Sequence, residues 1–229
     1  MSDRKGRYTI KDSAVKEALR EFDRAADEAG IDYALGGGFA AQSYIVEAIA
    51  NRRDTDVEQL SAGDVSTHTR STEDLDIPVK SYGAMPDLQG TLFTKQGVGG
   101  QITEAKDGKY LGEIEVPVGG RTESIDLNIF DNQARGFSEK QFDEQFSNSN
   151  RYVDGNTSFV RVGLENLIWM KARGGRQRDI IDLAYLMQLR HEDVDDEYVQ
   201  DLIEDENVAE VYEQAKNRDW RTQVLDQLR

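Results

Sequence analysis

The 229-residue sequence contains no cysteine. That single absence excludes disulfides, thiolate zinc sites and cysteine nucleophiles together. Histidine occurs only at positions 68 and 191, so an imidazole metal cluster or a Ser-His-Asp triad has almost no material to work with. No apolar run approaches the roughly 18 residues of a membrane helix, and the N-terminus lacks a basic stretch followed by an apolar one. These absences predict a cytoplasmic protein with no membrane partner. Bases are also scarce: 44 Asp and Glu face 28 Lys and Arg, only 10 of them Lys, for a net charge of -16. An acidic, lysine-poor surface repels itself unless salt screens it. The composition therefore predicts a salt-adapted, halophilic protein and no non-specific nucleic-acid binding at ordinary ionic strength.

What remains abundant is carboxylate, and oxygen-only ligands select Mg, Mn or Ca over zinc or copper. The chain has 25 Asp, and its three Asp-x-Asp triplets, at 54/56, 74/76 and 193/195, are about what chance supplies in so Asp-rich a sequence. The triplet alone is thus weak evidence. The middle one stands out by its setting, Arg70-Ser71-Thr72-Glu73-Asp74-Leu75-Asp76-Ile77-Pro78-Val79. Read as a strand, it places Leu75, Ile77 and Val79 on one face and Asp74 and Asp76 together on the other. Two carboxylates that close raise each other's pKa unless a cation lies between them, so the pair reads as half of a hard-metal site. Residues 124–130 repeat the pattern, with Ile125, Leu127 and Ile129 on one face and Asp126 on the other. Standing alone, Asp126 would be a solvated residue on an exposed strand face. Beside the first pair it becomes a third carboxylate on a strand.

A helix is expected from Asp12 or Ser13, with Val15, Ala18, Leu19, Phe22, Ala25 and Ala26 at helical spacing and Gly30 as its stop. Ile31–Leu35 then reads as a strand, Gly36-Gly37-Gly38 as the junction, and Phe39–Asn51 as a second helix. Three glycines before a helix start can aim backbone N-H groups at a phosphate; they can equally make a tight turn that needs positive φ. Both readings stand. Neither a G-K-[ST] ending nor the G-x-G-x-x-G spacing is present, so this is neither a Walker loop nor a dinucleotide fingerprint. Residues 52–70 read as a long polar loop, and residues 81–100 fit no element. The pattern turns β again from Gln101, with a hairpin turn at Lys106-Asp107-Gly108-Lys109 and a strand over Glu113–Val118 in which Pro117 marks an edge or a bulge. From about Gly163 the periodicity is helical: Leu164, Leu167 and Ile168, a break at Gly174-Gly175, then Ile180, Leu183, Ala184 and Met187, and finally Val208, Val211, Tyr212 and Ala215. The expected architecture is α/β (α+β): a small mixed-sheet core over residues 12–155 with flanking helices, followed by a helical bundle over residues 160–229.

The ordered set of a glycine-bearing turn (Gly37, Gly38), a strand with Asp-x-Asp (Asp74, Asp76) and a later strand with a third Asp (Asp126) resembles the polymerase-beta-like nucleotidyltransferase superfamily. Within it, Leu35-Gly36-Gly37-Gly38-Phe39-Ala40, Arg70-x-Thr72-x-Asp74-x-Asp76, and Met170-Lys171-Ala172 followed by Arg176-x-Arg178-Asp179-x-x-Asp182-Leu183 look most like the abortive-infection AbiEii/AbiGii branch, which includes toxin halves of toxin-antitoxin pairs. The resemblance implies a transferase that moves a nucleoside monophosphate from an NTP to an acceptor hydroxyl on RNA, protein or a small molecule. It implies two Mg ions, or Mn, on Asp74, Asp76 and Asp126, and triphosphate contacts from Gly37, Gly38, Arg70, Thr72 and Lys171. A cognate antitoxin would be a partner. The sequence departs from the family in two places: Gly-Ser is usual where Gly37-Gly38 stands, and the 35 residues between Gly38 and Asp74 imply an insertion near 52–69. The alternative is a catalytically silent module of the same fold that binds nucleotide or metal as a partner subunit. Arg178 is expected to pair with Asp182 at i, i+4, while Asp179 and Asp182 hold basic side chains in position.

Overall fold

The structure, a computed structural model, describes residues 8–66, 68–105, 109–131 and 137–226. Helix α1 (Ser13–Ala29) is amphipathic as its spacing requires, burying Val15, Ala18, Leu19, Phe22, Ala25 and Ala26. Gly30 ends it at φ 66°, in the left-handed region that glycine enters without a Cβ penalty, and its N-H returns to the Ala26 and Asp27 carbonyls. Asp12 is the N-cap residue, but its carboxylate turns backward to accept from the Thr9 N-H and hydroxyl instead of capping the helix.

Ile31–Leu35 is not a strand of either sheet. Its backbone is divided between two partners: the Ala34 N-H donates to Pro78 and the Leu35 N-H to Val160, leaving isolated bridges at Tyr33–Val79 and Leu35–Arg161. The segment is β-prone and buried, yet it serves as a seam between two sheets. It delivers the chain to Gly36 and helix α2 (Gly37–Arg53), which is buried almost all round and so shows no apolar stripe.

The expected loop at 52–70 is partly folded. A single 3-10 turn (Val57–Gln59) and a short α3 (Ala62–Ser66) fold onto α2, with Leu60 and Val65 buried and Arg53 paired to Asp64 at 2.6 Å. Strand β1 (Asp74–Pro78) follows, then α4 (Met85–Phe93), a helix whose periodicity Pro86 and Gly90 obscure. Pro86 lies in the first turn, where a missing N-H is harmless. Strands β2 (Gly99–Glu104), β3 (Tyr110–Val118) and β4 (Arg121–Phe130) complete a four-stranded sheet in the order β1-β4-β3-β2. β1 and β4 are parallel and the other pairs antiparallel, so the sheet is mixed as expected. The anticipated turn at Lys106-Asp107-Gly108 lies outside the described residues, although Ala105 and Lys109 on its flanks are joined by a 2.7 Å backbone bond. Pro117 sits in an interior strand, but past the end of β2, whose pairing stops at Glu115; on that flank β3 is locally an edge.

Helix α5 (Glu139–Ser147) and the hairpin β5 (Asn150–Asp154)–β6 (Thr157–Arg161) were not anticipated. α5 opens on a capping box, Ser138 with Gln141, a signal that was present in the sequence. The helical C-terminal part comprises α6 (Leu164–Gly174), α7 (Gln177–Arg190), α8 (Asp196–Leu202), α9 (Glu206–Lys216) and α10 (Arg218–Asp226). Gly175, at φ 59°, makes the expected break between α6 and α7. The hydrophobic core is one cluster running from Val15 and Leu75 through Ile168 and Leu183 to Val208 and Tyr212, so these helices bury their apolar faces against the same interior as the sheet. Among the described residues, no helix is long and apolar enough to cross a membrane.

Candidate functional site

The parallel pairing of β1 with β4 decides the geometry. In register, Asp74 lies opposite Asp126, Leu75 opposite Leu127, and Asp76 opposite Asn128. Adjacent strands run about 4.8 Å apart, so Asp126 stands beside Asp74 on the same face, while Leu75, Ile77, Leu127 and Ile129 fill the core on the other. The three predicted carboxylates are thus neighbours on one half-buried patch. Sequence reading missed its fourth member, Asn128, whose Nδ2 donates to Asp76 Oδ1 at 2.7 Å. The signal was available: Asn128 is two residues beyond Asp126 and shares its face.

The glycine turn is pressed against this patch. The Gly36 N-H donates to the Asp76 carbonyl at 2.7 Å, and Gly37 has φ 63°. A Cβ built on Gly37 would stand 2.1 Å from Asp76 Oδ2, so only a residue without a side chain lets the carboxylate lie there. At Gly38 a Cβ would come within 3.0 Å of both Arg70 Nη2 and Thr72 Oγ1. Arg70 and Thr72, two of the residues expected to contact phosphate, therefore stand beside the turn. The N-cap of α2 is Gly36, which has no side chain to satisfy the first N-H groups of the helix. A helix start left open in this way favours an anion.

Burial first, and then the charge of Asp76, raise the Asp74 pKa; the charges of Arg178 and Arg70 oppose them. The Asp74–Asp76 pair is thus electrostatically unfavourable and would be relieved by a cation. Its donors are oxygen only, the set that hard ions such as Mg or Mn accept. Among the described residues no three acidic or imidazole side chains are drawn around a single point as a ready metal cage. Asp76 is held by Asn128, and fixed cations surround the patch.

Those cations form a network that extends the site into the C-terminal helices. Lys171 of α6 is buried and reaches Asp182 Oδ2 at 2.6 Å and Asp179 Oδ1 at 3.4 Å. Arg70 Nη2 donates to the same Asp182 oxygen at 2.9 Å, and Arg176 grips Asp179 through Nε at 2.5 Å and Nη2 at 3.2 Å. Asp179 and Asp182 do hold basic side chains in position, as expected. The expected i, i+4 pair of Arg178 with Asp182 does not form: Asp182 is taken by Lys171 and Arg70, and the charge of exposed Arg178 acts on Asp74.

Burial pushes the Asp179 pKa up, but the Arg176 hydrogen bond and the Lys171 and Arg176 charges outweigh it, leaving a net lowering from 3.8. A carboxyl with a depressed folded-state pKa stabilises the fold above its unfolded value and loses that contribution as pH falls through the folded value. Asp179→Asn should therefore lower stability at pH 7 by about 1.5–3 kcal/mol, the range for hydrogen bonds to charged groups. It should also flatten the loss of stability below pH 4 in chemical denaturation.

Beside the carboxylate patch and the glycine turn lies a cavity of about 230 Å³. Gly37, Asp76, Lys171 and Arg176 supply its polar wall, and Phe130, Phe137, Leu167 and Met170 its apolar one. Arg173 lies over the Phe137 ring at 4.7 Å. The aromatic lining was not foreseen: Phe130 ends β4 on the face of Asp126 and Asn128, which reads as the polar face, and Phe137 belongs to no periodic element.

The fold has a counterpart among solved structures. An antigenic nucleotidyltransferase-like protein from Paracoccidioides brasiliensis matches 96% of this chain over 95% of its own length, with a TM-score of 0.58 at 16% identity. JHP933 from Helicobacter pylori aligns over 92% of this chain and 90% of its own, with a TM-score of 0.39 at 15% identity. No family model and no curated protein sequence matches the chain. The chain therefore shares the fold of the Paracoccidioides nucleotidyltransferase-like protein.

Proposed function

We propose that the chain is a Mg-dependent nucleotidyltransferase that moves a nucleoside monophosphate from an NTP to an acceptor hydroxyl. The observation that carries this reading is the register of β1 on β4, which sets Asp126 beside Asp74 and aims Asp76 at the Gly37 turn. Asp74, Asp76 and Asp126 would hold the metal ions, Mg or Mn. When bound, such ions screen triphosphate charge and lower the pKa of an attacking hydroxyl. The chain's own groups do the remaining work. The open start of α2 at Gly37 and Gly38 receives the outer phosphates, with Thr72 beside it. Arg70 and Lys171, anchored by Asp182, keep positive charge against the turn without collapsing onto Asp74 and Asp76. Phe130, Phe137 and Met170 give a nucleobase an apolar wall that excludes water. Asp126, next to Asp74, is placed to take the proton of the acceptor hydroxyl as it attacks the α-phosphate and pyrophosphate leaves.

A second reading is favoured by a specific observation: Lys171 is fully engaged by Asp182 and Asp179. A base so bound contributes little to a leaving pyrophosphate, which suits a silent module that binds nucleotide as a partner subunit. A toxin of the AbiEii kind acting in the cytoplasm with a cognate antitoxin would be a special case of the first reading. Pyrophosphate release separates the two. With each NTP, Mg and fractionated RNA, protein and metabolite acceptors in turn, the transferase releases pyrophosphate with one acceptor class. Binding of NTP with no release across all fractions selects the silent module.

A further inference from the structure

The far end of α2 carries a feature that the proposed activity does not use. A cavity of about 530 Å³ is lined by Arg52, Gln188, His191, Arg218, Arg221 and Thr222. Among the described residues, three arginines and a histidine face one space with no carboxylate in its lining, in a chain whose net charge is -16. The cavity is structurally supported. Arg52 Nη2 donates to the Gln188 and Leu189 carbonyls at 3.1 and 3.4 Å, fixing its guanidinium against the last turn of α7. Arg221 is 7% exposed and uses Nη1 on the Ala215 and Lys216 carbonyls, while its Nε is buried with no hydrogen-bond partner. Burial, and then the charge of Arg218, lower the Arg221 pKa, and among the described residues the cavity that the two guanidinium groups share has no carboxylate in its lining. Such an arrangement is costly unless an anion completes it.

We propose that this cavity is a second binding site, for a phosphate group carried by a ligand other than the NTP. The guanidinium fork matches a phosphate in two-point geometry, and several forks around one space select a dianion over chloride. The site is remote from the carboxylates: the 15 residues from Gly37 to Arg52 span about 22 Å of helix. Its existence does not depend on the reading of Asp74 and Asp76.

The test is calorimetric titration of the full chain with inorganic phosphate at constant ionic strength in KCl. The expected result is saturable binding of one phosphate per chain, unchanged in Asp74→Asn/Asp76→Asn. Binding should weaken roughly tenfold in Arg218→Gln, as loss of a charge-assisted contact requires, and vanish in Arg52→Gln/Arg218→Gln. Arg218 is exposed, so its single variant tests the site without disturbing the helix ends that Arg52 and Arg221 hold. Competition by a 5′-phosphorylated oligonucleotide but not by its dephosphorylated form would assign the phosphate to a polynucleotide end; no competition by either would assign it to a small phosphate compound. A heat signal that never saturates, or equal affinity in wild type and Arg218→Gln, overturns the proposal.

Discussion

Gly37→Ala is expected to abolish Mg-dependent nucleotide binding and to destabilise the fold by about 2–5 kcal/mol. Two separate costs add. A non-glycine residue at φ 63° costs roughly 1–2 kcal/mol, and a new Cβ 2.1 Å from Asp76 Oδ2 and 2.8 Å from Asp76 Cβ forces the strand residue or the turn to move, at roughly 1–3 kcal/mol. The second cost falls on function, because the displaced group is a proposed metal ligand. Gly38→Ala is the informative control. Gly38 has an ordinary φ, and its Cβ meets Arg70 and Thr72 at 3.0 Å, a crowding that shifts of a few tenths of an ångström relieve. That variant should lose about 1 kcal/mol or less and keep Asp76 in place. Denaturant melts in high salt, with nucleotide titration alongside, would read both effects. Equal behaviour of the two variants would mean that the turn does not position Asp76.

Asp182→Ala should be the most destabilising single change in the cation network, at about 3–5 kcal/mol, the range for removing one partner of a buried ion pair. Asp182 accepts from both Lys171 and Arg70 through one oxygen and is almost fully buried with Lys171. Its loss leaves a buried ammonium with only the longer contact to Asp179. Asp182→Asn keeps an acceptor but not the charge and should fall between wild type and alanine. Adding Lys171→Met to Asp182→Ala should recover much of the lost stability, since the uncompensated charge is then gone. If the double variant is no more stable than Asp182→Ala, the cost lies in lost packing and not in the stranded charge.

How much of this was legible in the sequence differs by element. The carboxylate patch was readable because strands alternate: Leu75 and Ile77 had to face the core, which left Asp74 and Asp76 together, and the same rule placed Asp126. What periodicity could not supply was the pairing. That β4 lies beside β1 with Asp126 opposite Asp74 is a long-range fact, and so is the Asn128 bond to Asp76. Ile31–Leu35 misled because a buried, extended, β-prone segment carries the same local signal whether it joins one sheet or stitches two. Lys171 was marked by its motif, but its burial beneath Asp182 follows from α6 packing on α7. In the apolar wall of the cavity, Phe130 sits on the face of β4 that alternation marks as polar, and Phe137 stands outside any periodic element. The arginine pocket was invisible for a related reason: Arg52 is far in sequence from Arg218 and Arg221, and they meet only when α10 packs on α7.

The central claim is that Asp74, Asp76 and Asp126 form one cation-dependent nucleotide site against the Gly37 turn. It is tested most directly by calorimetric titration of NTP into wild type and Asp74→Asn/Asp76→Asn, with and without Mg, in molar KCl. The account predicts saturable binding in wild type that requires Mg and is lost in the double variant, with the melting profile of the variant showing an intact fold. Nucleotide binding that is indifferent to Mg, or that survives unchanged in the double variant, would contradict it and return the three aspartates to the role of solvated surface charge.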